Sequence, residues 1–161
     1  WRYKIGDTVK FTCLNPYRIK ITGRTKHFIN VFGEELVIEN AEKALSLTSE
    51  LTKSSISDYT VGPVFMGSKT KGSHEWLIEF DKQPNDLNKF MEILDLNLQS
   101  LNSDYEAKRY KSSTLELPKL VVARKNLFYD WLSSKNKLGG QNKVPRLSNS
   151  REFIEELISM N

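Results

Sequence analysis

Thr8-Val9-Lys10-Phe11-Thr12-Cys13 and Tyr17-Arg18-Ile19-Lys20-Ile21-Thr22 alternate apolar and polar side chains with period two, and Asn15-Pro16 lies between them. Alternation of this kind turns one face of a strand toward a core, and an Asn-Pro step reverses the chain, so residues 8–22 read as a β-hairpin. Working outward, Gly23 ends the second strand, the stretch from Phe28 to Phe32 is extended, and Gly33 interrupts before a helix opens near Ile38. Ile38, Ala41 and Leu45 share a face of that helix. Residues 60–66 and 74–80 read as two strands that pair around the Gly/Ser/Lys loop at 67–73. Asp86 opens the clearest helix, because Leu87, Phe90, Met91, Leu94, Leu98 and Leu101 recur at helical spacing. Pro118 precedes an apolar strand, Lys119 to Ala123, and Leu127, Phe128, Trp131 and Leu132 stripe a helix that runs on to Gly139-Gly140. A last helix follows Ser148-Asn149-Ser150 and buries Phe153, Ile154, Leu157 and Ile158, with Asn149 and Glu152 spaced as a loose cap. This order predicts an α+β fold, a small mostly antiparallel sheet with the hairpin at the N-terminus and helices packed on it.

A chain of 161 residues supports one compact core and excludes a large multidomain enzyme. With 39% hydrophobic residues and no uninterrupted apolar run longer than Leu120 to Ala123, it is neither disordered nor membrane-spanning. Cys13 is the sole cysteine, and with only His27 and His74 beside it neither an internal disulfide nor a zinc cluster is expected, which fits a reducing, cytoplasmic setting. The chain opens on Trp1, without an initiator methionine, and reads as a piece of something longer. Its charge is segregated. Residues 1–33 carry seven Lys/Arg against Asp7 alone, 34–106 carry six against fourteen acids, 107–146 carry ten against two, and 147–161 carry one against three. If the fold unites the two basic blocks, they form a face suited to a phosphate-bearing partner.

Gly67 to Ser73 imitates the spacing of a phosphate-binding loop, but the lysine expected after the second glycine is Ser73, and the segment enters a strand rather than a helix. It reads as a hairpin loop. No GxSxG elbow is present, Cys13 sits mid-strand as a small buried hydrophobe, and the adjacent pairs Glu34-Glu35 and Glu155-Glu156 read as surface. Three motifs remain, in order: Tyr3-Lys4-Ile5-Gly6-Asp7, then Gly23-Arg24-Thr25-Lys26, then Gly139-Gly140-Gln141-Asn142-Lys143-Val144-Pro145-Arg146. An ionised aspartate after a glycine turn can accept hydrogen bonds from vicinal ribose hydroxyls. A lysine on a glycine-rich loop can bring a compact positive charge to a centre where phosphoryl oxygens gain negative charge.

Taken together these motifs resemble the adenylate-forming enzymes, which carry Gly-Asp, then Gly-Arg with a hinge Asp or Lys two residues on, then a glycine-led lysine near the chain end. Within that superfamily the sequence is most similar to the carboxy-terminal part of the Gretchen Hagen family, the auxin-responsive acyl-acid-amido synthetases. Arg2-Tyr3-Lys4-Ile5-Gly6-Asp7 resembles that family's entry to the domain. Ser57-Asp58-Tyr59 followed by Gly72 to Phe80 resembles its Ser-Tyr-x-Asp stretch and Trp-bearing strand, and Asn142-Lys143-Val144-Pro145-Arg146 resembles its Tyr-Lys-Val-Pro-Arg terminal motif. Phe32-Gly33-Glu34-Glu35 and Glu39 resemble, more loosely, a superfamily segment that leads into the next helix. The order Ser-Asp-Tyr and Asn142 in place of a tyrosine depart from the plant pattern, so plant substrate preferences do not transfer.

The resemblance implies that residues 1–161 are the C-terminal lid domain of an ATP-dependent ligase whose large N-terminal domain is absent, with the hairpin at 8–22, a hinge near 24–26 and a catalytic loop at 139–146. Such an enzyme adenylates a carboxylic acid with Mg-ATP and transfers the acyl group to the amine of an amino acid, its lid rotating between the half-reactions. Asp7 would hold the ribose hydroxyls, Arg24 would lie beside ribose or phosphate, Lys26 would absorb the rotation, and Lys143 would contact the acyl oxygen and α-phosphate. Arg146 would touch phosphate or fix the loop. No metal ligand is assigned, and Mg2+ and most of the ATP would be held by the missing domain, leaving the fragment inactive alone. An acyl-CoA ligase is the alternative within the superfamily. A basic nucleic-acid-binding α+β module is the alternative from another class, opposed by the acidic middle block. Neither nucleic acid nor membrane is expected as a partner.

Overall fold

Cross-strand pairing of like side chains builds the hairpin: β1 (Asp7–Leu14) runs antiparallel to β2 (Tyr17–Arg24), with Val9 opposite Ile21 and Phe11 opposite Ile19. The computed structural model describes residues 7–24, 28–68, 70–112, 114–139 and 143–161, and the side chains of residues 7, 8, 22–24 and 112 lie outside that description. The apolar face expected to point into a core is instead open, with Phe11 56% and Ile19 58% exposed. Cys13 is correspondingly half-exposed rather than buried, its thiol 3.3 Å from the Asn15 carbonyl.

The remaining elements form the body. A two-residue ladder joins β3 (Phe28–Ile29) to β4 (Leu36–Val37), which leads directly into α1 (Ile38–Thr52). β5 (Ser55–Val64) and β6 (Ser73–Lys82) pair antiparallel, and β7 (Lys119–Ala123) adds to β6 in parallel, giving the order β5-β6-β7. The sheet is therefore mixed, and the α+β reading stands. β5 begins five residues earlier than its sequence pattern predicts, because Ser55 to Tyr59 already pairs with the end of β6.

Both faces of the sheet are covered, which explains why β6 is buried at four consecutive positions from Trp76 to Glu79 instead of alternating. Trp76 and Ile78 join a cluster with Ala41 and Leu45 of α1 and with Phe90, Leu94 and Leu98 of α2 (Leu87–Leu101). Leu77 faces the other way, into a cluster with Leu127, Phe128 and Trp131 of α4 (Leu127–Ser134) and Ile154 and Leu157 of α5 (Glu152–Ser159). α4 ends at Ser134, before the glycines predicted to stop it, once its apolar stripe is spent.

α2 starts as predicted, with the Asp86 carboxylate accepting from the Lys89 amide at 3.0 Å. At its other end the Asn102 side chain accepts from the Tyr105 amide at 2.9 Å and caps α3 (Ser103–Arg109), a two-turn helix with too little periodicity to read from sequence. Asp95 ties the two helices together. It accepts from the Tyr105 hydroxyl at 2.8 Å and from Arg109 Nε and Nη2 at 2.7 and 2.8 Å, while Arg109 Nη1 donates to the Leu115 carbonyl at 2.7 Å. Burial, followed by the Asp95 charge, pushes the Tyr105 phenol well above its ordinary range. Among the described residues no helix is long and apolar enough to cross a membrane.

Because Asp95 is 4% exposed and its loss removes the carboxylate that holds both Tyr105 and Arg109, Asp95→Ala should cost about 3–5 kcal/mol in urea unfolding. An unchanged midpoint would show that the clamp carries no stability.

Candidate functional site

Val144–Ser148 suits a strand edge, since its proline costs no ladder bond at the rim. It lies parallel to β5 as a short strap, with Leu147 opposite Val61. The Val61 amide donates to the Arg146 carbonyl at 2.9 Å, and the Ser148 amide donates to the Val61 carbonyl at 3.1 Å. Thr60 Oγ1 donates to the Pro145 carbonyl at 2.6 Å. Val144 and Leu147 are almost wholly buried and enter the two different core clusters, so the strap is pinned to both faces of the sheet. Each such burial is worth about 1.5–3 kcal/mol.

Arg146 completes the attachment. Its Nη1 bonds to the Asp58 carboxylate and donates to the Tyr59 carbonyl at 3.2 Å, and its guanidinium lies 4.6 Å from the centroid of the Tyr59 ring. Lys143 directly precedes this anchored stretch and is exposed, three residues and at most about 11 Å of extended chain from Arg146. Of the two tail residues singled out by sequence, Arg146 is fixed on the sheet edge, and Lys143, just ahead of the anchored stretch, is exposed.

The other predicted residues are distributed differently. Asp7 and Arg24 face each other as register partners at the open end of the hairpin, with both side chains outside the described set. Lys26 and His27 lie outside the described residues, as do Gly140, Gln141 and Asn142 of the expected catalytic loop. Among the described contacts, Asn149 links the tail to the segment that follows residues 24–26. Its Nδ2 donates to the Phe28 carbonyl at 2.9 Å and its Oδ1 accepts from the Asn30 amide at 2.8 Å. Sequence spacing assigns Asn149 to the cap of α5, but that helix is capped by Arg151 without a side-chain bond, because Asn149 is already engaged across the fold.

The failed phosphate loop has a packing role. A Cβ at Gly72 would stand 2.5 Å from the Phe32 ring, and the glycine exchanges backbone bonds with Thr114 and Glu116. Glu34, read as surface from its position in an acidic pair, is wholly buried, and only Glu35 is exposed. Its Oε1 meets His74 Nε2 at 2.8 Å and its Oε2 accepts from the Phe32 amide at 2.7 Å. His74 stacks on Tyr105 at 5.7 Å. Nothing in the local sequence could have paired Glu34 with His74, since β-strand placement alone joins them. Burial pushes the Glu34 carboxyl up, but the hydrogen bond and charge of His74, with the backbone amides, outweigh it and hold the group below its usual 4.5.

The chain belongs to the GH3 (Gretchen Hagen) family: the family's C-terminal domain matches residues 39–152. It superposes on a GH3.15 acyl acid amido synthetase with a TM-score of 0.76 at 20% identity, covering 98% of this chain and 31% of that one. A second structure, AtGH3.15 acyl acid amido synthetase in complex with 2,4-DB, gives 0.73 at 19% identity, covering 98% and 30%. The chain thus spans about a third of the length of these solved relatives, and at this identity the likeness establishes the fold. No curated protein matches the chain in sequence. The matched family domain begins at residue 39, beyond the hairpin.

A carboxyl whose affinity for protons is lowered by folding stabilises the native state at pH above its unfolded value and loses that contribution as pH falls through the folded value. Glu34→Gln should therefore destabilise the protein by about 1–3 kcal/mol at neutral pH and flatten the decline of the urea midpoint below about pH 4.5. Parallel pH curves for the two proteins would contradict this account of Glu34.

Proposed function

We propose that this chain is the C-terminal module of an ATP-dependent acyl acid amido synthetase, which adenylates a carboxylic acid and passes the acyl group to the amine of an amino acid. Family membership supports the class. The observation that carries the reading is the strap, which anchors Val144–Ser148 to β5 and leaves the Lys143 ammonium exposed beside it. In this reading Lys143 meets the acyl oxygen and α-phosphate as negative charge grows there, and it is presented by a fixed base rather than a free tail. Arg146 fixes that base through Asp58 and Tyr59. Asp7 and Arg24, paired across the hairpin, supply the ribose and phosphate contacts, and Lys26 absorbs the lid's rotation.

The remainder of the active centre is assigned to an upstream module. In this reading the Mg2+ that accompanies ATP is held there too. A reducing, cytoplasmic setting suits the lone thiol of Cys13.

Lys143→Ala in the full-length parent should lower hydroxylamine-trapped acyl-adenylate formation by about 100-fold or more with the fold intact. Turnover at the parent's own rate would remove the residue on which the reading rests. Product analysis then separates amide from thioester, the latter marking a CoA ligase. The 161-residue chain alone should release no pyrophosphate from ATP and a carboxylic acid, and release at a measurable rate would contradict the assignment of the phosphate site to an upstream module.

A further inference from the structure

Asparagine ahead of a helix is a favoured cap, yet α5 opens at Arg151 with no side-chain bond. The Asn149 amide reaches across to β3 instead. Its Nδ2 donates to the Phe28 carbonyl at 2.9 Å and its Oδ1 accepts from the Asn30 amide at 2.8 Å. These two backbone groups flank Ile29, which is wholly buried, so the side chain meets β3 with the donor and acceptor that a neighbouring strand would offer.

The turn that carries the asparagine is itself held. The Ser148 amide donates to the Val61 carbonyl at 3.1 Å and the Ser150 amide to Ser148 Oγ at 3.1 Å. Arg151 then donates to the Pro63 carbonyl at 3.0 Å and to the Glu75 carboxylate at 2.7 Å. On the other side of the clasp, Asn30 Oδ1 accepts from the Glu35 amide at 3.2 Å and closes the turn that contains buried Glu34. Asn149 therefore joins two separately fixed parts and gives the strap an attachment on a second element. Fastened to β5 alone, the strap could rock about its backbone bonds and carry Lys143 with it; the bonds to β3 remove that freedom.

We propose that Asn149 is a positioning residue for Lys143, holding the end of the strap on β3 and so fixing the base from which the lysine extends. The role of Lys143 rests on the synthetase reading, whereas the clasp does not. A displacement of about 1 Å at a reacting group can cost up to about 100-fold in rate, so loss of the clasp slows the chemistry and leaves substrate capture alone.

Two experiments test this. In this chain, Asn149→Ala should speed amide exchange at Ser148 and Asn30 by about tenfold or more and leave Leu77 unchanged. Unaltered exchange at Ser148 would overturn the proposal, because the strap would then hold without the clasp. In the full-length parent, Asn149→Ala should lower the rate of trapped adenylate formation about tenfold, with KM for ATP and for the acid unchanged. Asn40→Ala, which removes a side-chain bond to the Leu101 carbonyl, controls for general loosening and should keep the parent's rate. Equal losses in the two variants would overturn the proposal. With Lys143→Ala already in place, adding Asn149→Ala should change nothing further, and a second multiplicative drop would show that Asn149 does not act through Lys143. A parent slowed by Lys143→Ala but not by Asn149→Ala sinks this proposal alone, whereas a parent indifferent to Lys143→Ala sinks the synthetase reading and the catalytic role of Asn149 with it.

Discussion

Two backbone hydrogen bonds between β5 and the strap at Val144–Ser148 fix where the tail of this protein lies. Without them Arg146 would not reach Asp58, Val144 and Leu147 would not bridge the two core clusters, and Lys143 would have no defined place on the surface. The strap uses the outer edge of β5, one of the two edge strands of the three-stranded sheet. Covering an edge also removes a site for unwanted strand pairing.

A buried polar chain supports the opposite flank. Glu34, at the approach to α1, meets His74 on β6, which stacks on Tyr105, whose hydroxyl meets Asp95 and, through it, Arg109. Interactions of this kind specify one arrangement of helices because a slipped packing would strand several buried charges at once. With Asn149 clasping Phe28 and Asn30, they hold the segment after residues 24–26 and the tail in one frame.

Much of the fold was legible because it rests on periodicity. The hairpin, the β5–β6 pair, the stripe of α2 and the short β7 all follow from spacing of apolar residues, with Asp86 marking a start. α3 escaped because seven residues give too few repeats, and α4 was drawn too long because glycines mark where a helix must stop rather than where it does. Burial of Glu34 escaped because its partner is forty residues away and only the sheet brings them together. Of the site, Lys143 and Arg146 were legible as a motif, and the structure anchors Arg146 to β5 with Lys143 exposed three residues before it. Asp58 and Tyr59 appeared only as a similar local pattern, and the guanidinium contact that joins them to Arg146 required the fold. The openness of the hairpin's apolar face was not legible, since alternation says that a face is apolar and not what covers it.

Amide hydrogen exchange at Val61 and Ser148 tests the strap most directly, since each donates one of its two backbone bonds. Protection at both positions should match that of the β5–β6 ladder around Thr60 and Leu77. Exchange at the rate of an unstructured peptide at Val61 and Ser148, with the ladder still protected, would mean that the tail is unattached and that nothing in this fold positions Lys143.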